Sequence, residues 1–562
     1  MIRPVSLLAV AALISGVVFG QSTGSQPKFD VADVHAIAPS PNVHYMVGGF
    51  YMGGRYQIRY GTMIQLINAA YGVDPDKILG GPAWLDWDRF DVMALAPPDS
   101  TLETLRAMMQ SLLADRFKLV VHPDKKELPT YALSAGKKPL LTEADGSEQS
   151  GCALDIQGLN NGAGGPPSPD APRPLPVIHY KCRNVTMPAF AEAIRTLALA
   201  PQYVGSNPIL DDTGIKGAWN FEFHYSVPAG MMGQGSAGGL SMLEAVDKQL
   251  GLKLEPRKVP LPVLIVDSAV EKPTPNPPDL AAKLPALPTE FDVAEIKPSD
   301  PKNPQGQAGG FQPGRLDARS ITLKQLIVMA WNTTPGMIMG GPKFIDDDRY
   351  DIVAKAPAET TTKYYTGTTG QRDMDTDALS LMLRALLIDR FHLKVHTEDR
   401  LMPTYTLVAA KPKLKPADPA NRTKWFEGPD PGAKDPRKDI PALNRLVTCH
   451  NITMAQLAAV LPNIAADYFQ NVGRTVADAT GLDEAYDFTL SFSSSFILNG
   501  NFGGNAVPQP GAAGDMAQAS APIGGMSLMD AVEKQLGIKM ELQKRPVPVL
   551  VIDHIDQKPT DN

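Results

Sequence analysis

The chain has 562 residues, of which 43% are apolar and 20% are charged, so it is too long for one ordinary domain and suits two to four. Its 53 Lys and Arg face 60 Asp and Glu, and the net charge of −7 argues against a protein that binds nucleic acid by neutralising phosphates. With 48 Gly and 52 Pro, the composition predicts many turns and open loops.

The N-terminus has the pattern of a secretory signal. Arg3 precedes the apolar run LLAVAALISGVVFG, which ends in small residues at Gly20 before a polar stretch. A membrane anchor is the alternative, but the run is shorter than the ~20 residues that a spanning helix needs, and no later run comes closer to that length. We therefore predict a signal peptide over residues 1–20 and a secreted protein, periplasmic or extracellular, without a transmembrane segment after signal cleavage.

The rest of the chain contains a duplication, which is visible as words that recur in the same order. FDVADV at 29 returns as FDVAEI at 291, and GGPAWLDWDRFDV at 80 returns as GGPKFIDDDRYDI at 340. SMLEAVDKQLGLKLEPRKVPLPVLIVD at 241 likewise matches SLMDAVEKQLGIKMELQKRPVPVLVID at 527. We predict two tandem repeats, a first copy over 28–270 and a second copy over 291–556, joined by a Pro-rich linker over 271–290.

Each copy also repeats within itself. FHLKVHTEDRLMPTYTLV, starting at 391, aligns without a gap on LGIKMELQKRPVPVLVID, starting at 536. Upstream, ITLKQL at 321 resembles ITMAQL at 452. We therefore expect two related units in each copy and four in the chain.

Local signals predict the structure of one unit. Helix starts are marked by a Ser or Thr with a Gln or Glu three residues later, the capping-box spacing, at Thr62, Ser100, Ser241, Thr322 and Thr453. After the second helix of each pair come two β-rich stretches that a proline separates, such as KMELQ and VPVLVID. The predicted unit is strand, helix, strand, helix, strand, strand, and the fold class is α+β with helices packed on small sheets. Gly-, Pro-, Ala- and Ser-rich loops are expected over 137–178, 226–240, 409–445 and 495–526.

The three cysteines leave two alternatives open. Because the count is odd, at least one thiol has no partner within the chain. Cys152 and Cys182 could form a disulfide in an oxidising compartment. Alternatively, Cys182 and Cys449 are small core side chains on equivalent strands, an interpretation that we favour slightly because Cys449 has no partner.

Several motifs suggest chemistry without completing a site. Asp212, Thr213 and Gly214 spell the motif of aspartic proteases, but the second copy has Ala479 where the second carboxylate would be needed, so we predict a turn. The acidic clusters at 86–88 and 346–348 are each followed by an Arg, which favours a solvated turn with a local Asp to Arg pair over a calcium site.

Histidine offers the best candidate for a site. His392 and His396 are expected to share one strand face with Lys394, and His122 occupies the position of His396 in the first copy. A zinc site would need a third ligand that the sequence does not place, so an exposed polar sheet face is the favoured interpretation. The chain also lacks a G-x-S-x-G elbow, a Walker A loop and a dinucleotide fingerprint. We predict no catalytic, cofactor-binding or metal residues and no cofactor.

The recurring words FDVA, GGPKFIDDDRYDIVAKAP, LMLRALLIDRFHLKVHTEDR and MPTYTLV resemble the soil-associated family of exported bacterial proteins, a domain of unknown function. The resemblance covers the second copy and, with more drift, the first, and it implies no activity or site residues. The helix and strands of SLMDAVEKQLGIKMEL are also similar to the short N-terminal domain of secretins and TonB-dependent transporters, which docks protein partners in the periplasm.

Repetition, abundant loops and missing catalytic motifs favour a non-catalytic binding or assembly module of the cell envelope, whose partner is an unknown envelope or extracellular protein or ligand and not nucleic acid. One alternative is an envelope hydrolase whose site is assembled from distant segments. The other is a metal or small-ligand sensor.

Overall fold

A computed structural model describes most of the chain between residues 26 and 560. The segments outside the described residues are 1–25, 39–45, 53, 155–176, 199, 205–206, 227–239, 281–282, 285–287, 301–309, 313, 358–363, 366–375, 431–432, 441–442, 470–474, 499–523 and 561–562. The predicted signal peptide and the central parts of several predicted loops therefore lie outside the described residues. No helix within the described part of the chain is long and apolar enough to cross a membrane.

The first half consists of short helices and strands in alternation. Its strands are β1 (Val31–Ala36), β2 (Val47–Met52), β3 (Arg55–Thr62), β4 (Ile78–Gly80), β5 (Arg89–Leu95), β6 (Val120–Ala135), β7 (Thr142–Glu143), β8 (Gly151–Leu154), β9 (Val177–Thr186), β10 (Ile209–Asp212), β11 (Ala218–Ser226) and β12 (Leu252–Ser268). Its helices are α1 (Met63–Tyr71), α2 (Leu102–Phe117), α3 (Met187–Ile194), α4 (Pro201–Val204) and α5 (Met242–Leu250).

The second half repeats this order. Its strands are β13 (Val293–Pro298), β14 (Gly310–Gln312), β15 (Arg315–Thr322), β16 (Ile338–Gly340), β17 (Arg349–Lys355), β18 (Tyr364–Tyr365), β19 (Lys394–Ala409), β20 (Lys415–Pro416), β21 (Lys424–Glu427), β22 (Arg445–Thr453), β23 (Val476–Asp478), β24 (Ala485–Phe492) and β25 (Ile538–His554). Its helices are α6 (Leu323–Trp331), α7 (Phe344–Asp347), α8 (Thr376–Phe391), α9 (Met454–Ile464), α10 (Ser495–Leu498) and α11 (Leu528–Ala531), the last continued by a π-helical turn over Val532–Leu536.

The α+β class and the two similar halves are confirmed, but the order within a unit differs from the prediction in two places. A short additional strand, such as β4 or β10, lies between the two helices of a unit. The two predicted final strands form one continuous strand, which spans 17 residues in β12 and in β25. The prolines do not interrupt it because, as shown below, they stand where the backbone nitrogen faces away from the partner strand.

The two units of a half complete each other's sheets. β6 and β12 pair antiparallel over almost their whole length, and β19 and β25 do the same. β4 of the first unit pairs in parallel with β12 of the second unit. Conversely, β10 of the second unit pairs in parallel with β6 of the first unit. In the second half β16 and β23 make the same exchange with β25 and β19. The two units thus share the sheet β10-β6-β12-β4, while each also has a sheet of its own strands, β1-β5-β3-β2 in the first unit and β7-β11-β9-β8 in the second.

The hydrophobic cores lie at the two ends of these long strand pairs. In the first core Tyr56, Phe90 and Phe117 pack with Leu264 and Val266 from the end of β12. The second core contains Phe190, Phe223 and Tyr225 together with Leu133 of β6 and Leu252 of β12. The second half has equivalent cores. Between the cores the paired strands continue as a two-stranded ribbon.

Capping residues set the helix ends as the sequence predicts, with one exception. Capping boxes are present at Thr62, Ser241, Thr322 and Thr453. Ser100 is not the cap of α2, which is instead capped one residue later by Thr101, whose side chain accepts from Thr104 N. Ser100 Oγ donates to Pro97 O at 2.8 Å. The expected cap was therefore wrong by one residue.

The first residues of the predicted linker lie against the first half. Thr274 N donates to Arg116 O at 2.8 Å. At the end of the second half, Thr560 N donates to Arg390 O, also at 2.8 Å. The two segments read EKPT from 271 and QKPT from 557. Both the sequence and the contacts therefore continue the repeat to these threonines.

The two halves contact each other through a loop of the second half. Arg422 forms a two-pronged ion pair with Asp86, and its Nη1 donates to Ile78 O at 2.7 Å. The side chains of Arg422 and Asp86 are only 16% and 19% exposed. Next to this pair, Thr423 N donates to Ala83 O at 3.0 Å. β18 also pairs with β2 of the first half.

Candidate functional site

The ribbon of the second half presents one face to solvent between the two cores. Leu401 of β19 lies opposite Pro546 of β25, and Pro403 lies opposite Lys544. Directly opposed residues of antiparallel strands point to the same side of the sheet, and so do residues two apart on one strand. We use the term ribbon face for five of the exposed residues on this side, Leu401, Pro403, Leu542, Lys544 and Pro546; Asp399 and Pro548, which lie opposite each other, follow them on the same side.

Two leucines make this face apolar. Leu401 is 66% exposed and Leu542 is 57% exposed. Burying a leucine side chain fully is worth about 1.5–3 kcal/mol, so a partner that covered both would gain substantially from contact. Both leucines have proline neighbours on the same face. The surface is therefore largely apolar, with Lys544 as its charged member and Asp399 beside Leu401 at one end.

The first half carries the same ribbon without the leucines. Its equivalent residues are Glu127, Pro129, Pro256, Lys258 and Pro260, in the same pairing. The three positions of Pro403, Lys544 and Pro546 keep the same residue types. Glu127 replaces Leu401, and Pro256 replaces Leu542. The two halves thus differ on this face in the two residues that make it apolar.

The histidines at the ribbon ends form ion pairs in the open. His122 Nδ1 lies 2.9 Å from Asp267, and His396 Nδ1 lies 2.9 Å from Asp553 at the equivalent place. Each of these side chains is between 41% and 51% exposed. The hydrogen bond that the His396 ring donates to the Asp553 carboxylate raises the pKa of His396 above its usual range. These pairs agree with an exposed polar face.

His392 does not share that face. It precedes β19 and has a left-handed backbone, with φ of 48°. Its Nδ1 lies 2.8 Å from Asp556, whose other oxygen lies 3.1 Å from His554 Nε2. The expectation that His392 lies beside His396 and Lys394 on one strand is wrong because the strand begins only at Lys394. Within the described ranges, no three or more His, Cys, Asp or Glu side chains are grouped to hold a metal ion.

A small open pocket of about 220 Å³ lies where β10 joins β6. Arg257 and Asp212 form its charged rim, with Arg257 Nη1 2.7 Å from the carboxylate. Thr130 and Val259 contribute to its wall. Neither His122 nor any other histidine lines it, so the pocket and the histidine pairs are separate features.

The protease-like motif forms a turn, as predicted. Thr213 N donates to Asp211 Oδ1 at 2.9 Å, and Ile215 N donates to Thr213 Oγ1 at 3.1 Å. The second half makes the same turn, in which Thr480 N donates to Asp478 Oδ1 at 2.9 Å. The motif is therefore a repeated structural turn after a short strand.

The acidic clusters bind side chains from distant elements. Asp86 pairs with Arg422, as described above, and Asp346 pairs with Lys324 at 2.9 Å. The expected partner Arg349 donates to the Ser320 carbonyl oxygen at 2.6 Å. The clusters thus lie at the ends of short helical segments, Ala83–Asp86 and α7, and carry ion pairs with distant residues and with the local Lys343, which lies 3.6 Å from Asp347.

Asp88 has a second carboxylate as its neighbour. Its carboxyl group forms a side-chain hydrogen bond with Glu271. Burial, followed by the charge of Glu271 and this hydrogen bond, raises the pKa of Asp88 to about 6. At the equivalent place in the second half, Gln557 Nε2 donates to Asp348 Oδ2 at 2.7 Å. An amide thus replaces one of the two carboxylates.

Cys152 and Cys182 form a disulfide between β8 and β9, where the two residues are directly opposed. The slightly favoured interpretation of Cys182 as a free core side chain is therefore wrong, since the sequence does not reveal that β8 pairs with β9. Cys449 is buried as predicted, and burial raises its pKa to about 12.

No curated protein and no solved structure matches the chain. A family model described as a protein of unknown function, DUF3738, matches residues 64–269 and 324–555. One match lies in each half, and together they cover well over half of the chain. The chain therefore belongs to the DUF3738 family and carries its domain in two tandem copies.

Proposed function

We propose that this protein is an exported, non-catalytic binding module that contacts a partner of the cell envelope through the ribbon face of the second half. The observation that carries the proposal is the exposure of Leu401 and Leu542 on a face where the first half has Glu127 and Pro256. The fold does not need the two leucines there, because the first half forms the same ribbon without them. Exposed apolar side chains that the fold does not require are typical of a surface that contacts another molecule.

The export part of the proposal rests on the sequence alone. A charged residue, Arg3, followed by a short apolar run and small residues is the pattern that the secretory machinery recognises. Fractionation of cells that express the full chain or a chain without residues 1–20 tests it. We expect the full chain outside the cytoplasm and the truncated chain inside, and equal distribution of both would contradict export.

The binding part is tested by substitution to the residues of the first half. The double variant Leu401→Glu, Leu542→Pro should fold, since β6 and β12 tolerate those residues in the same ribbon. We expect capture of envelope proteins by the full chain to fall about tenfold in this variant. The matched control is Val293→Lys, which removes a 67% exposed apolar side chain from β13 of the same half. Equal capture by wild type and double variant, at equal melting temperature, would refute the proposal.

A further inference from the structure

The direction of the backbone amides along β25 follows from the neighbouring strands. Ala479 N donates to Leu407 O, so the carbonyl of Leu407 points away from β25. Leu407 lies opposite Met540, and residues of such a pair in an antiparallel ladder both turn their N–H and C=O outward. The same outward direction recurs every second residue. Met540, Leu542 and Lys544 therefore turn their amides to the outer edge of β25.

The prolines agree with this assignment. Pro546 and Pro548 stand two and four residues beyond Lys544, at positions that face outward and need no amide hydrogen in the ladder. In the first half, Pro256, Pro260 and Pro262 occupy the same kind of position on β12. Proline at an edge prevents a further strand from pairing, because it offers no donor. The edge of β12 is thus blocked at the position of Leu542, and that of β25 is open there.

The fold already adds strands to this edge. β16 pairs in parallel with β25 over Leu550–Ile552, beyond the prolines. Within the described part of the chain, no strand pairs with the outer edge of β25 before Leu550. Leu542 and Lys544 are exposed at this edge. The open stretch therefore has the backbone groups and the access that strand addition requires.

The charges along this edge favour an acidic partner. Residues 539–545 contain Lys539, Lys544 and Arg545 against Glu541. Lys539 lies 3.7 Å from Glu533, which offsets part of its charge. A second copy of this chain would bring the same excess of positive charge to the contact, whereas acidic side chains would complement it.

We propose that the edge of β25 from Met540 to Lys544 binds an extended peptide as an additional strand, and that this peptide alternates apolar and acidic side chains. Its apolar side chains lie beside Leu542 on the ribbon face, and its acidic ones lie on the opposite face, where Lys539 and Arg545 stand on either side of Glu541. This inference rests on the proposed function and specifies the class of partner.

The test uses synthetic peptides of about seven residues, the length of an ordinary strand. One alternates Val and Glu, and its control alternates Val and Lys. Binding to the full chain is measured by fluorescence anisotropy, and amide protection by hydrogen exchange with mass spectrometry over fragments covering 538–546. We expect the acidic peptide to bind at least about tenfold more tightly than the basic one and to protect this segment.

Two variants separate the backbone from the side chain. Leu542→Pro removes the outward amide and should abolish binding, whereas Leu542→Thr keeps the amide and should weaken binding only partly. Val293→Lys should bind as wild type does. Equal binding of both peptides, binding that survives Leu542→Pro, or no gain in protection of 538–546 when the acidic peptide is added would overturn the inference. If no peptide binds while capture of envelope proteins still depends on Leu401 and Leu542, the inference falls and the proposed function stands.

Discussion

The carboxylate pair of the first half predicts a pH-dependent stability that one substitution should remove. Glu271→Gln gives Asp88 the amide partner that Asp348 already has in Gln557. In the wild type the pKa of Asp88 is raised to about 6, above its value in an unfolded chain. The stability that protonation of Asp88 provides is therefore fully present below about pH 4 and is lost as the pH rises from there through about 6. At neutral pH the two carboxylates repel each other, and the amide would relieve that repulsion.

The size of the effect follows from the shift. A change of about two pKa units corresponds to ~3 kcal/mol. Burial, the largest cause of the shift, stays in the variant, and solvent screens a pair that is only partly buried, so we expect ~1 kcal/mol of added stability for Glu271→Gln near pH 8 and little change near pH 3. Urea unfolding at both pH values measures it. The reciprocal variant, Gln557→Glu, is the matched control and should lose about as much near pH 8. The reasoning would be refuted if Glu271→Gln, Gln557→Glu and the wild type all had the same unfolding free energy at both pH values.

Three further predictions concern the packing. Arg422→Ala should lower the unfolding free energy by ~2 kcal/mol, because it leaves the largely buried Asp86 carboxylate without its cation, and a double-mutant cycle with Asp86→Ala should show coupling between them. Gly537→Ala should lower the unfolding free energy by ~3 kcal/mol, because φ at this position is 72° and the new Cβ would collide with the Lys411 carbonyl oxygen. Gly481→Ala is the control: φ is 67° there, but no atom lies close to the new Cβ, so thermal unfolding should show a loss of only ~1 kcal/mol. Cys449 should react with thiol reagents only after denaturation, and reaction in the native protein at the unfolded rate would contradict its burial.

Local features of this protein could be read from the sequence because each depends on residues close together in the chain. The capping boxes at Thr62 and Thr322 need only a partner three residues on. The turn after Asp211 is likewise local. The duplication and the internal repeat were also visible, since they compare words and require no knowledge of contacts. These signals were sufficient to predict the α+β class and the division of the chain into two similar halves.

The candidate binding surface depends on contacts between distant residues. The alignment of the two copies shows Leu401 against Glu127, but only the pairing of β19 with β25 places Leu401 and Leu542 on one face. The sequence also predicts two strands separated by a proline, such as KMELQ and VPVLVID, where the structure has one, because it does not show on which side of the strand the proline nitrogen faces.

The repeats, most helix ends and the turns follow from spacing along the backbone and can therefore be predicted before the fold is known. The exchange of short strands between units, the disulfide and the contact of Arg422 with Asp86 depend instead on how distant segments pack. Each of these joins residues far apart in the chain, and its register is set by which apolar side chains are buried together. Which apolar side chains are buried together depends on the assembled fold, so no short segment of the sequence predicts it.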